Sequence, residues 1–187
     1  GTEDFVYAVL RMQYNAVEGD QDLTEEDQRR VALHEAGHLV ICELLCPGSV
    51  GLASLRSSAR SSVGGFIHRC KPLARRSHDT LVSLGGKAAV ELFYADTAAG
   101  GCREDLERAL GNVFTAVSES GTCGLALLDM NGVMHFRPSN DYVAHVETAV
   151  HAELERYMFQ ARDMLIRNRD FLTAATDALL EKKMLLY

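Results

Sequence analysis

The stretch VALHEAGHLV, Val31 to Val40, contains two histidines four residues apart, with Glu35 directly after the first. Residues i and i+4 of an α-helix lie on nearly the same face, so His34 and His38 can direct their imidazole nitrogens to one point. Zinc accepts such ligands in a tetrahedral shell. Glu35 lies about 100° round the helix, beside the ligand face, where a general base for peptide hydrolysis belongs. The stretch therefore predicts a helical zinc site with a catalytic glutamate.

The alternative is a pair of ordinary histidines on a buried helix. Val31, Ile41 and Leu45 share the histidine face, so this face is expected to be buried in either case. Two neutral imidazoles there would need hydrogen-bond partners, which apolar neighbours do not supply. The helix also has a strong start, because Thr24 and Asp27 resemble a capping box and the first turn is acidic. A well-capped H-E-x-x-H helix favours the zinc site.

A catalytic zinc needs a third protein ligand and one open position. The extended motif H-E-x-x-H-x-x-G-x-x-H is excluded, because Ile41 and Leu44 occupy its glycine and last histidine positions. The ligand must come from a later helix. Asp105 lies about 75° from the centre of the apolar face of its helix, whereas Glu104 points nearly opposite. Glu91 lies at the edge of its own helix in the same way, so periodicity leaves both Glu91 and Asp105 open.

The composition predicts a folded domain and excludes several classes of protein. Of 187 residues, 47% are hydrophobic and 24% charged, which is ordinary for a globular chain. The net charge is −7 without a basic stripe, which argues against nucleic acid as a partner. No apolar run approaches the ~20 residues that span a bilayer. The five cysteines are odd in number and form no C-x-x-C, which predicts a reducing compartment and no disulfide framework.

Helical spacing dominates the chain, which predicts a mainly α fold with a small β ribbon or hairpin near the active site. The Ser- and Gly-rich region 49–72 predicts two short strands joined by a loop, and Asn131-Gly132 predicts a small hairpin. A break is expected near Asn168, within about 45 C-terminal residues that are otherwise helical. The other predicted helices cover an N-terminal segment beginning near residue 2, residues 23–45 before Pro47-Gly48, residues 77–94 and residues 102–119.

Several longer segments resemble a known family, in the same order along the chain. They are HEAGH at 34–38, LGGKAAVEL at 84–92, GGCREDLERA at 100–109 and RDMLIRNRDFLTAATDALLEKKML at 162–185. Together they resemble the peptidase domain of the FtsH family of ATP-dependent zinc metalloproteases, in which an AAA ATPase module and a protease module share one chain. EDFVYAVLR also resembles the last helix of the AAA lid. The resemblance implies a zinc metallopeptidase domain over 21–187, with 1–20 a remnant of the lid helix and a linker.

The resemblance also implies roles for individual residues. His34, His38 and Asp105 match the family's zinc ligands, and Glu35 matches its catalytic glutamate. The chain departs from the family at Lys87, Val90 and Cys102, none of which belongs to the implied ligand set. Within the helix that holds Lys87, Gly85 and Gly86 are expected to allow close packing.

The resemblance implies partners and a location as well. The expected substrates are unfolded polypeptides, and the full-length protein is expected to be a hexamer with an upstream AAA ATPase. The chain has no P-loop and does not begin with Met, so it is expected to be a fragment of a longer protein. It would lie on the cytoplasmic side, with a membrane anchor outside this sequence.

The segment SVGGFIHR, 62–69, is the candidate substrate-binding strand. An extended peptide could add to its edge as a further strand, which gives Gly64, Gly65, Phe66 and Ile67 as candidate substrate-binding residues. The alternative is a plain surface ribbon. For the whole domain, the alternative to a zinc endopeptidase is a non-hydrolytic ring-assembly or chaperone-like module that retains the peptidase fold. Loss of Glu35 or of a ligand would have favoured this alternative, and all four residues are present.

Overall fold

The computed structural model describes residues 24–55, 65–96, 101–121 and 139–186, and these form a mainly α domain with one small antiparallel sheet. The predicted fold class is therefore confirmed, and the helices predicted at 23–45, 77–94 and 102–119 each agree within two residues. The predicted N-terminal helix and the Asn131-Gly132 hairpin lie outside the described residues. The elements are α1 Glu25–Leu45, β1 Val50–Ser54, β2 Phe66–Arg69, α2 Arg76–Tyr94, α3 Arg103–Glu119, α4 Asn140–Arg167, α5 Arg169–Lys182 and β3 Met184–Leu186.

Local sequence explains both ends of α1. The backbone N–H of Asp27 donates to Thr24 Oγ1 at 3.1 Å, and the Thr24 hydroxyl donates to the Asp27 carboxylate at 2.7 Å. This cap satisfies one of the free N–H groups of the first turn, whose acidic side chains also match the helix dipole. The helix ends at Leu45, just before Pro47, and Gly48 has a φ of +70° that favours glycine.

The central helix α1 crosses α2 at very short range. A Cβ added at Gly85 would lie 2.8 Å from the carbonyl oxygen of Gly37, so a side chain there would collide with the backbone of α1. The predicted close-packing role of Gly85 is thus confirmed. Side chains of α1, α2, α4, α5 and β1 form the main core around this crossing. Its largest fully buried side chains include Leu39, Ile41, Leu165, Leu172 and Leu179.

The sheet has the strand order β2-β1-β3, and both pairings are antiparallel. The two strands predicted within 49–72 are confirmed as β1 and β2. The prediction of helix to the C-terminus is wrong for β3, because Lys183 adopts a left-handed φ of 58° and ends α5. Residues Met184–Leu186 then pair with β1. Helical periodicity reports only local spacing, and this strand forms because a distant strand offers a free edge.

The predicted break near Asn168 separates α4 from α5. The Asn168 backbone N–H reaches the carbonyls of Met164 and Leu165, both at 3.2 Å, and its side-chain amide donates to Met164 O at 2.8 Å. These bonds satisfy carbonyls that the end of α4 leaves without helical partners. The two helices then follow each other with a single residue between them.

The described residues bear on membrane-spanning helices and on the state of the cysteines. None of the helices in these ranges is both long and apolar enough to cross a bilayer. The four cysteines within the described part of the chain form no disulfide bond there, and Cys42 and Cys102 are buried. Cys46 is partly buried and Cys70 is exposed.

Candidate metal centre

Three side chains from two helices converge on one point. Helix α1 presents His34 and His38 one turn apart, with their rings edge to face and their Nε2 atoms 3.0 Å apart. Helix α3 brings Asp105, whose Oδ2 lies 3.3 Å from His34 Nε2 and 3.2 Å from His38 Nε2. The structure thus places Asp105 with the two histidines, although it lies 67 residues after the second in sequence.

This donor set fits a zinc ion. Imidazole nitrogen and carboxylate oxygen are both ordinary zinc ligands, and catalytic sites use three protein ligands. Bonds of about 2.0–2.1 Å in a tetrahedral shell place neighbouring ligand atoms about 3.3 Å apart. The three distances among His34 Nε2, His38 Nε2 and Asp105 Oδ2 are 3.0 to 3.3 Å. Among the described residues, these three form the one group of His, Cys, Asp or Glu side chains with such convergence.

Hydrogen bonds on the far side of each ring fix the histidine orientations. The Nδ1 of His38 lies 2.6 Å from the carbonyl oxygen of Val82 on α2, so Nδ1–H donates there and Nε2 remains available as a ligand. The Nδ1 of His34 lies 3.9 Å from the sulfur of Cys102, at the start of α3. Sequence reasoning missed Val82, because any residue supplies the same carbonyl and no side-chain pattern could have indicated it.

The three convergent groups shift one another's pKa values. Burial disfavours the ionised carboxyl of Asp105, but the neighbouring His38 and His34 outweigh burial and hold its pKa well below the usual range. Burial also lowers the pKa of His38, yet Asp105 and Glu35 together raise it to about 9. The pKa of His34 is lowered, chiefly by burial. At neutral pH these directions correspond to an anionic Asp105 beside a cationic His38 and a neutral His34.

Glu35 lies beside the ligand group and not within it. Its side chain is buried, and burial is the main reason that its pKa rises to about 8. Gly65, just before β2, lies directly against it: a Cβ added there would lie 2.6 Å from Glu35 Oε1. Gly65 also has a φ of +118°, which side chains rarely adopt.

Gly86 provides space for both imidazoles. A Cβ at this position would lie 2.5 Å from His34 Cε1 and 2.6 Å from His38 Nε2. The expected close-packing role of this glycine in α2 is confirmed, and its packing partners are the two rings. The sequence indicated this role through the Gly-Gly pair inside a predicted helix. Glycine lowers helix stability by about 1 kcal/mol relative to alanine, so its presence there suggests close packing.

The other acids considered as third ligand lie elsewhere. The carboxylate of Glu91 is paired with Lys87 Nζ at 2.9 Å and with the Arg162 guanidinium of α4. Glu104 is exposed at the start of α3. The tertiary structure therefore distinguishes Asp105 from Glu91, which periodicity alone did not.

The candidate substrate strand borders this centre. Phe66 and Ile67 lie in β2, the outer strand of the sheet that the described residues form, and both are partly buried. Ile67 packs on the main core, whereas His68 is exposed. Gly65 is buried against Glu35, and Gly64 lies outside the described residues.

The fold and the site define a class of protein: a mainly helical domain built around an H-E-x-x-H helix, a pattern typical of metallopeptidases. The chain belongs to peptidase family M41, whose model matches residues 21–187.

Curated relatives carry names that agree with this family. The chain is similar to the ATP-dependent zinc metalloprotease FtsH 1 of Sorangium cellulosum, with 32% identity over 205 residues, 99% of this chain and 33% of the relative. It is also similar to the ATP-dependent zinc metalloprotease FtsH 2 of Symbiobacterium thermophilum, with 31% identity over 173 residues, 86% of this chain and 29% of the relative. The chain thus spans about a third of the length of these relatives.

Proposed function

We propose that this domain is a zinc-dependent endopeptidase that hydrolyses unfolded polypeptides. The observation that carries this proposal is the convergence of His34 Nε2, His38 Nε2 and Asp105 Oδ2 beside a buried Glu35. The relatives named as zinc metalloproteases support zinc as the metal. No described feature favours the alternative of a non-hydrolytic ring-assembly or chaperone-like module.

His34, His38 and Asp105 would hold the zinc ion, and a tetrahedral ion with three protein ligands has one position left for water or substrate. Bound zinc supplies Lewis acidity, which makes water a stronger acid and polarises a peptide carbonyl. Val82 and Gly86 position the rings, because the Val82 carbonyl fixes the His38 tautomer and Gly86 leaves space for both imidazoles. Asp105 balances part of the positive charge of the ion.

Glu35 acts as the general base in this proposal. It takes a proton from the attacking water and returns it to the nitrogen of the departing amine. A group that takes up and returns a proton works best when its pKa lies near the working pH, and burial raises the pKa of Glu35 to about 8. Its position beside the ligands lets it move protons without being a ligand itself.

The edge strand β2 binds the substrate in this proposal. β2 pairs with β1 along one edge, and we propose that an extended peptide adds along the other edge as a further strand. Gly65, Phe66 and Ile67 supply this edge, with Gly64 as a further candidate from the sequence alone. Because Gly65 touches Glu35, a peptide bound here would pass close to the general base.

The remaining parts of the proposal concern a longer protein. We propose an AAA ATPase upstream, residues 1–20 as the end of its lid helix and linker, and the peptidase domain over 21–187; the names of the relatives support this proposal. The full-length chain would assemble as a hexamer, on the cytoplasmic side of a membrane to which it is anchored.

The first test compares one protein in native and permanently unfolded forms. Opening a folded protein costs about 5–15 kcal/mol, and a peptide can add to β2 only when its own backbone is free. We expect the zinc-loaded domain to cleave the unfolded form slowly, leave the native form intact and ignore ATP. Gel electrophoresis of timed digests measures this. Equal cleavage of both forms, stimulation by ATP, or no cleavage at all would contradict the proposal.

A second test inserts one methyl group between β2 and the general base. Gly65→Ala would place its Cβ 2.6 Å from Glu35 Oε1 at a φ of +118°, so either the strand or the carboxylate must move. We expect kcat to fall by at least about 10-fold, because a misplaced general base loses much of its contribution. Zinc affinity should change little, because the three atoms nearest to the added Cβ all belong to Glu35, which is not one of the three convergent groups.

The matched control for this variant is Gly111→Ala. Gly111 lies on α3, and a Cβ there meets nothing within 4 Å. The control should keep full activity and gain about 0.5–1 kcal/mol in free energy of unfolding, because alanine favours helix. Unchanged kcat in Gly65→Ala, or equal losses in both variants, would show that the contact with Glu35 has no role.

A further inference from the structure

The carboxylate of Asp79 joins three elements of the domain. Arg69 Nη1 donates to Asp79 Oδ1 at 2.8 Å, and Asn112 Nδ2 donates to Asp79 Oδ2 at 3.0 Å. Arg69 ends β2, Asp79 lies in the first turn of α2, and Asn112 lies on α3, two turns beyond Asp105. The Arg69 and Asp79 side chains are only 28% and 25% exposed, so water and salt screen this ion pair less than a surface pair.

The end of β2 that carries Arg69 pairs with β1 through an irregular register, and directly after it the Cys70 backbone N–H donates to Ser49 O at 2.8 Å. The strand has four residues, and its register against β1 is irregular between Val50 and Leu52, which face Arg69 and His68. This irregularity interrupts the backbone ladder locally, so side-chain contacts of Arg69 add to the backbone hydrogen bonds that hold this end. The opposite end of the strand adjoins Gly65, which lies against Glu35.

The helix that holds this end of β2 also holds the metal centre. Asp79, Val82 and Gly86 follow at i, i+3 and i+7, which puts them along one face of α2. Val82 orients His38 through its carbonyl, and Gly86 lies against both histidine rings. One face of one helix thus contacts both the edge strand and the ligand histidines.

We propose that Asp79 is a positioning residue: through Arg69 it fixes β2 relative to the metal centre and so determines how an extended polypeptide binds beside Glu35. This inference rests on the proposed function. Asn112 donates to the second carboxylate oxygen of Asp79 and so connects Asp79 to α3, the helix that carries Asp105. Loss of the Asp79 contacts should make β2 more mobile and leave His34, His38 and Asp105 in their positions.

The first measurement follows the strand itself and needs no activity. Hydrogen–deuterium exchange of segment 65–70 is compared in wild type, Asp79→Asn and Arg69→Gln, with Arg167→Gln as control. Arg167 forms a more exposed ion pair with Asp163 on α4, away from this network. We expect roughly 10-fold faster exchange of the segment in Asp79→Asn and in Arg69→Gln. This factor corresponds to the free energy lost with about one hydrogen bond to a charged group. Exchange in α1 should not change.

The second measurement separates positioning from general damage. With zinc bound and an unfolded polypeptide as substrate, Asp79→Asn should raise KM roughly 10-fold and change kcat less than about twofold. Zinc affinity should equal that of wild type. The KM of the double variant Arg69→Gln/Asp79→Asn should be no higher than that of the single variant with the higher KM, because the two residues act through one contact.

Each outcome has a distinct meaning. Unchanged exchange of 65–70 in Asp79→Asn overturns the inference, as does an unchanged KM when wild type is active. Loss of zinc or a large fall in kcat overturns it too, since Asp79 would then support the metal centre itself. An inactive wild type with zinc bound overturns the proposed function instead, and strand exchange still decides whether Asp79 holds β2.

Discussion

Replacing Glu35 by glutamine should abolish most peptidase activity while the fold and zinc binding remain. Glutamine has the shape of glutamate and cannot accept the proton, and losing a general base costs roughly 10²–10⁴-fold. The fold should tolerate the change, because glutamine fills the buried position of Glu35 with a side chain of the same size. Glu35 is not among the three convergent atoms, so the ligand set stays complete.

The experiment measures kcat on unfolded casein together with zinc content and thermal unfolding. Glu104→Gln is the matched control, because it makes the same chemical change at an exposed position on α3. The control should behave as wild type in all three measurements. Cleavage by the zinc-loaded Glu35→Gln variant at the wild-type rate would refute the assignment of Glu35 as general base.

Asp105→Ala should weaken zinc binding more than removal of any other acid considered. Its Oδ2 lies 3.3 Å and 3.2 Å from the two histidine Nε2 atoms, so the change removes one of three ligand atoms and the charge that balances the ion. Changes to groups that only orient ligands typically cost 10–100-fold in metal affinity, and we expect the loss of a ligand to cost at least about 100-fold. Activity should fall with zinc occupancy.

Glu91→Ala and Glu104→Ala are the controls for this prediction. Glu91 is paired with Lys87 and Arg162, so its removal should lower the free energy of unfolding and leave zinc affinity near wild type. Glu104→Ala should change neither. Competitive titration of all three variants against a chelator of known affinity gives the comparison. If Glu91→Ala loses zinc and Asp105→Ala keeps it, the third ligand has been assigned to the wrong helix.

Local sequence was sufficient for the parts of the site that lie on one helix. The relation of His34, Glu35 and His38 follows from helix geometry, and Thr24 with Asp27 determines where that helix begins. The mainly α class and the break at Asn168 follow from spacing and caps in the same way. Such features depend on residues within about two turns of each other, which a sequence displays directly.

Helical periodicity in the sequence did not identify the third ligand. Glu91 and Asp105 both lie at the edge of an apolar helical face, and each could have reached the histidines. The packing of α3 and α4 on α2 separates them: Arg162 of α4 and Lys87 pair with Glu91, and α3 carries Asp105 to the imidazoles. The family resemblance named Asp105, and periodicity had no means to do so.

The chain by itself determined a capped helix with two histidines and a glutamate in fixed relation, within a mainly α domain. Only the tertiary structure decided that β3 completes the sheet, that Val82 and Gly86 hold the rings, and that Gly65 lies against Glu35. The physical reason is separation along the chain. Each of these contacts joins segments about 30 or more residues apart, so it depends on how whole elements pack and not on the spacing within any one of them.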